Sequence, residues 1–153
     1  MKKLFFFVLI ISTLNNPQSI ELSGLANGIS QGMQASYTTL DRNAYTINNS
    51  SYNNDWHKWQ VLNVGTALTT GVVIGIENKI ESSFNLISAG VDVWYFSAIR
   101  WIVSQVTYNI HQGNEPFEIN KNSHSFDKHF NWPLRIIFFT SALMFKYFIL
   151  PVL

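Results

Sequence analysis

Six polar side chains lie in or beside apolar stretches of this sequence, and their types permit ion pairing, proton transfer or metal binding. They are His57, Asp92, Arg100, Asn109, His111 and Lys146. A charged side chain inside a bilayer is costly unless it is paired or hydrated, so charges that remain there usually have a partner or a function. We therefore expect each of these charges to be matched by a neighbour.

The sequence predicts one specific ion pair. If the last two apolar stretches are antiparallel neighbours, Lys146 reaches the depth of residues 92–96, because each helical residue advances the chain by about 1.5 Å. Asp92 and Lys146 are then expected to pair. A structural role in fixing helix register is the favoured interpretation, since buried ion pairs often specify geometry. A proton or ion path is the alternative.

A polar stripe is predicted on the helix that carries Arg100. Four residues recur there at spacings of four, three and four, which places them on one helical face. They are Arg100, Ser104, Thr107 and His111, and Ser88 with Asp92 forms a second pair displaced around the axis. Arg135 lies near a predicted helix end, from which its long side chain is expected to reach the membrane interface.

Three histidines are candidate metal ligands or acid–base groups. They share one polar segment with three acidic residues: His111, His124 and His129 with Glu115, Glu118 and Asp127. Their spacing is not that of a helical ligand pair and no HExxH motif occurs, so ordinary loop histidines are favoured over a metal site. No nucleophile elbow, phosphate loop or dinucleotide fingerprint appears, and no cofactor is assigned.

Composition limits the class of protein. The chain has 153 residues, which is room for one domain, and only 12% are charged against roughly 25% in soluble proteins. Aromatic residues reach 15%. The absence of cysteine excludes disulfides and thiolate sites. Lys and Arg are scattered at a net charge of +1, so nucleic acid is not an expected partner.

The N-terminal half divides into two predicted segments. Residues 1–26 are interpreted as a signal sequence or signal anchor, because Lys2 and Lys3 precede the apolar run 4–14. That run is shorter than a bilayer span, which favours a cleaved signal, with Gly24 and Ala26 as the small-residue site. Residues 27–55 are predicted to be an extracytoplasmic polar segment with a short amphipathic helix near 24–40 and an exposed loop over 41–55.

Residues 56–153 are predicted to form a helical membrane domain. The stretches 84–110 and 132–153 are long and apolar enough to cross a bilayer. The stretch 61–76 is shorter, so a re-entrant segment is an alternative to a third span; Gly71 and Gly75 there would permit close helix contact. The expected fold is an all-α, small helical membrane bundle with about three transmembrane helices after the N-terminal signal segment. With three spans, residues 27–55 and 111–131 are both extracytoplasmic.

The chain resembles a loose group of small bacterial polytopic membrane proteins without an established activity. Members have an Asp-x-Trp-His element that opens one membrane helix and an Arg-Trp pair followed by Asn and Gly that closes the next. The matching residues here are Asp55, Trp56, His57, Arg100, Trp101, Asn109 and Gly113, with one residue missing after Asp55. Ser125, Asp127 and Lys146 complete the resemblance. It implies a membrane architecture and no particular reaction.

These observations favour a small integral protein of the bacterial inner membrane that is not an enzyme. The leading hypothesis is an accessory or structural subunit whose partners are the lipid bilayer and other membrane proteins or copies of itself. The alternative is a membrane-embedded enzyme or metal-binding protein that uses His57, Arg100 and the 111–129 segment. A holin-like pore-former is the third hypothesis.

Overall fold

The computed structural model describes residues 19–44, 50–80, 83–118 and 132–152. Within them the chain is almost entirely helical: α1 (Ser19–Ala44), α2 (Ser50–Glu77), α3 (Leu86–His111) and α4 (Trp132–Met144). The predicted all-α class is confirmed. The amphipathic helix is longer than the predicted 24–40, and the predicted loop 41–55 is wrong where α1 continues to Ala44 and α2 begins at Ser50. Residues 1–18 of the predicted signal segment 1–26 lie outside the described residues.

Helix α1 packs between α2 and α3. Its glycines lie against α3: an added Cβ would come within 2.9 Å of Ile99 at Gly24 and within 2.4 Å of the Ser104 carbonyl oxygen at Gly32. Small residues spaced by four form one helical face and allow two backbones to approach closely. The order of these contacts along both helices makes α1 parallel to α3.

A short hairpin turns the chain from α2 into α3. Strands β1 (Lys79–Ile80) and β2 (Ser83–Phe84) pair antiparallel, with Lys79 opposite Phe84. Asn85 then caps α3, because its side chain accepts a hydrogen bond from the Ser88 backbone N–H at 3.0 Å. This tight connection makes α2 and α3 antiparallel.

Helix α4 runs antiparallel to α3 and ends irregularly. After Met144 the chain continues as a π-helical turn (Phe145–Ile149) and a 3₁₀ turn (Leu150–Val152). The core formed by α3 and its neighbours includes Tyr95, Phe96, Ile99 and Ala142. Because a π turn holds one more residue than an α turn, it changes the direction in which the side chains that follow it point.

Three helices are long and apolar enough to cross a membrane. They are Asn54–Glu77, Leu86–His111 and Trp132–Val152. Their outward surfaces are apolar. On α2, for example, the exposed large apolar residues are Val61, Val64, Leu68, Val72 and Ile76. Such a continuous apolar surface would be unfavourable in water and suits lipid tails. The chain is therefore an integral membrane protein, and the prediction of three apolar spans is confirmed, including the one that contains residues 61–76.

Candidate functional site

The strongest concentration of charge is the Asp92 node, which consists of Asp92, Lys146 and Asn78. Asp92 is 4% exposed, yet each of its carboxylate oxygens accepts a hydrogen bond. Lys146 Nζ lies 2.5 Å from Oδ1, and Asn78 Nδ2 lies 2.7 Å from Oδ2. The predicted ion pair between Asp92 and Lys146 is confirmed, and Asn78 is a third member that the sequence did not indicate.

Groups from all four helices meet at or beside the Asp92 node. Asn78 is held at the end of α2, where its Nδ2 also donates to the Ile74 carbonyl oxygen at 2.9 Å. Lys146 lies in the π-helical turn after α4, and its Nζ is 5.5 Å from the centre of the Tyr95 ring. The adjacent Tyr147 hydroxyl donates to Glu21 on α1. The node therefore links the hairpin end of the bundle to its last helical turns.

The predicted polar stripe of α3 faces α1. Arg100 Nε donates to Gln31 Oε1 at 2.7 Å. His111 Nδ1 lies 2.7 Å from Ser36 Oγ, and the His111 ring packs 5.0 Å from that of Tyr37. Arg100 and His111 thus each have a polar partner on α1. Gln31 supplies a neutral acceptor to the partly buried Arg100 side chain.

Ser36 and His111 have the separation of a nucleophile and its base. Gln112 Nε2 lies 2.5 Å from Ser36 Oγ, so the amide donates to the hydroxyl, whose own hydrogen can then point to His111 Nδ1. However, Ser36 is 0% exposed. A substrate has no route to the hydroxyl in this structure, and the contact joins α1 to the end of α3.

Asn109 organises the segment that follows α3. Gly113 adopts a positive φ of 77°, and Asn114 N–H donates to the Asn109 carbonyl oxygen at 2.9 Å, which together terminate the helix. The Asn109 side chain donates to the carbonyl oxygens of Pro116 and Glu118 at 2.9 and 2.8 Å. Its contacts are those of a residue that fixes the backbone of residues 112–118.

Arg135, whose side chain was predicted to reach the membrane interface, is buried within the chain. This residue is 4% exposed, and its guanidinium carbon lies 4.8 Å from the centre of the Trp101 ring. Its Nη1 donates to the Trp101 carbonyl oxygen at 3.3 Å. The position of Arg135 near a helix end does not reveal this burial. Its partners, the indole of Trp101 and the side chain of Gln105, belong to another helix.

The histidines do not assemble a metal site within the described residues. His57 is exposed at the start of α2, with its ring 4.8 Å from that of Trp56, while His111 contacts α1. No group of three His, Asp or Glu side chains able to hold a metal ion occurs in the part of the chain that the structure describes. The candidates His124 and His129 lie outside it.

A polar seam between α1 and α2 was not predicted. Asn27 is 0% exposed, and its Nδ2 donates to Asn63 Oδ1 at 3.0 Å and to Thr66 Oγ1 at 2.8 Å. Asn63 Nδ2 in turn donates to Gln34 Oε1 at 3.0 Å. The signal in the sequence is the helical spacing of four polar residues that the structure buries: Ser19, Ser23, Asn27 and Ser30. The apolar period of the helix does not reveal this second, polar face.

Comparisons with protein-family models, with curated proteins and with solved structures found no match. The fold and the buried contacts assign the chain to the class of helical integral membrane proteins.

Proposed function

We propose that the chain is a non-enzymatic accessory or structural subunit of a membrane assembly, whose helices pack against another membrane protein or a second copy. The observation that supports this is the internal use of its polar groups. Asp92 pairs with Lys146, Arg100 with Gln31 and His111 with Ser36. These contacts join helices, and they leave an apolar perimeter that suits helix association in lipid.

Association in a membrane tests the proposal. After extraction from native membranes in a mild detergent, we expect a dimer, a larger oligomer or a defined complex with another protein. Gly71, Gly75 and Gly90 are suitable probes, because a Cβ added at any of them meets nothing within 4 Å in this chain. Replacing each of them with Ala adds only that Cβ, so a loss of association reports an external contact. A lone monomer under all conditions would contradict the proposal.

A membrane-embedded hydrolase is the alternative that one observation favours, namely the 2.7 Å separation of Ser36 Oγ and His111 Nδ1. It predicts that a fluorophosphonate probe labels Ser36 in vesicles and that His111→Gln abolishes the labelling. The accessory role predicts no labelling, because Ser36 is enclosed.

For the metal-binding alternative, elemental analysis of the purified protein is the corresponding test. Dye leakage from vesicles that carry the protein tests the holin-like alternative.

We place the protein in a bacterial inner membrane, with residues 112–118 at the extracytoplasmic end of the bundle. Lys79 then lies on the cytoplasmic side and Lys58 on the opposite side, so the lysines of the described residues favour neither orientation. Helix α1 lies alongside α2 and α3 and crosses with them. In the cysteine-free chain, an impermeant maleimide added to whole cells should label Asn114→Cys and spare Lys79→Cys. The opposite labelling would reverse the orientation.

A further inference from the structure

A stack of alternating aromatic and cationic side chains lies at the end of the bundle where α3 ends and α4 begins. The Arg135 guanidinium carbon is 4.8 Å from the Trp101 ring centre and 5.8 Å from that of Trp132. The Trp132 ring in turn meets Phe117 edge to face, with ring centres 4.9 Å apart. The stack connects the interior of the bundle with an aromatic residue of the 112–118 segment.

The position of Phe117 is fixed by its own backbone as well as by the stack. Asn109 Nδ2 donates to the carbonyl oxygens on both sides of it, those of Pro116 and Glu118. The positive φ of Gly113 sets the direction in which the segment leaves α3. Phe117 is therefore held in one place, even though it lies outside the helices.

The level of Phe117 in the membrane follows from its contact with Trp132. The last span, Trp132–Val152, has 21 residues, which at about 1.5 Å per residue matches a hydrocarbon core of about 30 Å. Its first residue, Trp132, therefore lies at the boundary between acyl chains and headgroups, where Trp side chains are enriched in membrane proteins. A ring in contact with Trp132 lies at the same level.

We infer that Phe117 inserts into the lipid headgroup region and anchors residues 112–118 to the membrane surface. Phe117 is 67% exposed within the chain, although it is a large apolar side chain. Its contact, Trp132, is the first residue of α4, whose exposed apolar perimeter includes Leu134 and Ile137 and suits lipid. The occupant next to Phe117 is therefore a phospholipid bilayer continuous with that perimeter, rather than a soluble partner. Asn114 and Glu115, which are also exposed, face the water above.

Depth measurements in lipid test this anchor directly. Phe117→Cys and the control Asn114→Cys are each labelled with a nitroxide and reconstituted into vesicles of phosphatidylcholine and phosphatidylglycerol. We expect the label at position 117 to collide mainly with oxygen, which concentrates in the bilayer, and the label at 114 with a water-soluble nickel chelate. Several-fold fewer nickel collisions at 117 than at 114 are the expected result. Equal nickel collisions at both positions would overturn the proposal.

Two further measurements separate the bilayer from other occupants. If protection at 117 appears only at a high ratio of protein to lipid, a second copy covers the ring and the proposal is wrong. Asn109→Leu removes both side-chain hydrogen bonds to the segment, so nickel collisions at 117 should rise. A label at Gly90→Cys, on the lipid side of α3, should not change in that variant, which shows that the bundle is intact. An unchanged label at 117 would show that Asn109 does not position Phe117.

Discussion

Replacing Lys146 with Met should destabilise the bundle by about 3–5 kcal/mol, because removing one partner of a buried pair leaves an uncompensated charge. The remaining carboxylate of Asp92 is 4% exposed and keeps only the hydrogen bond from Asn78. At 1.4 kcal/mol per tenfold change, this loss is roughly two to four orders of magnitude in the unfolding equilibrium constant. The measurement is unfolding in mixed micelles with rising sodium dodecyl sulfate, followed by circular dichroism.

The reciprocal variant, Asp92→Asn, should cost less, at about 1–3 kcal/mol. The Lys146 side chain is 15% exposed, against 6% for Asp92, and it lies within two turns of the end of the described chain. It can therefore extend its ammonium group towards the interface when its partner is lost. This asymmetry is specific to the geometry of the Asp92 node, since a simple loss of one ion pair would affect both variants equally.

The double variants decide whether the two residues interact energetically. Asp92→Asn combined with Lys146→Met should lose less stability than the sum of the two single variants, and so should the charge-reversed pair Asp92→Lys with Lys146→Asp. As a control, Lys58→Met should leave stability unchanged, because Lys58 and Asp55 pair on an exposed surface. Additive losses in both double variants would refute the coupling that is inferred from the 2.5 Å contact.

Three further outcomes can be checked. Gly28→Leu should destabilise the chain strongly in thermal unfolding and Gly71→Leu should not, because an added Cβ lies 2.7 Å from Val103 in the first case and meets nothing in the second. Intact-mass measurement of the protein from membranes should show that Ser19 to Ala26 are retained, because these residues are the part of α1 that packs against the ends of α2 and α3; a mature chain that begins after Ala26 would contradict this. Arg135→Lys should lower the unfolding temperature although it keeps the charge, because a lysine lacks the planar group that stacks on indole; an unchanged temperature would show that the stack contributes little.

The apolar spans could be predicted from rules that act along one helix, and the Asp92–Lys146 pair needed only the further assumption that the last two spans are antiparallel neighbours. Length and composition identify a span, and helical rise places Lys146 at the depth of Asp92. Helix α1 is different, since its composition is too polar for a span when considered alone. Asn27 and Gln31 become acceptable in the interior only because α2 and α3 present Asn63 and Arg100 to them.

The two glycine series show why contacts between helices were harder to predict. Gly71 and Gly75 on α2 were expected to permit close packing, but an added Cβ there meets nothing. The series on α1, which includes Gly28, is the one that contacts α3. Both have the same spacing, and only the position of the neighbouring helix distinguishes them. The burial of Arg135 was not predicted for the same reason, since Trp101 belongs to another helix.

The polar character of α1 makes its insertion depend on helices that are synthesised after it. Asn27 finds its partner 36 residues later in the chain, and Gln31 finds Arg100 69 residues later. Until the ribosome has made those residues, α1 has no groups to satisfy its amides away from water. Helix α1 is therefore expected to settle in the membrane only after α2 and α3 have been made, and a nascent chain that stops before α3 leaves it without half of its binding surface.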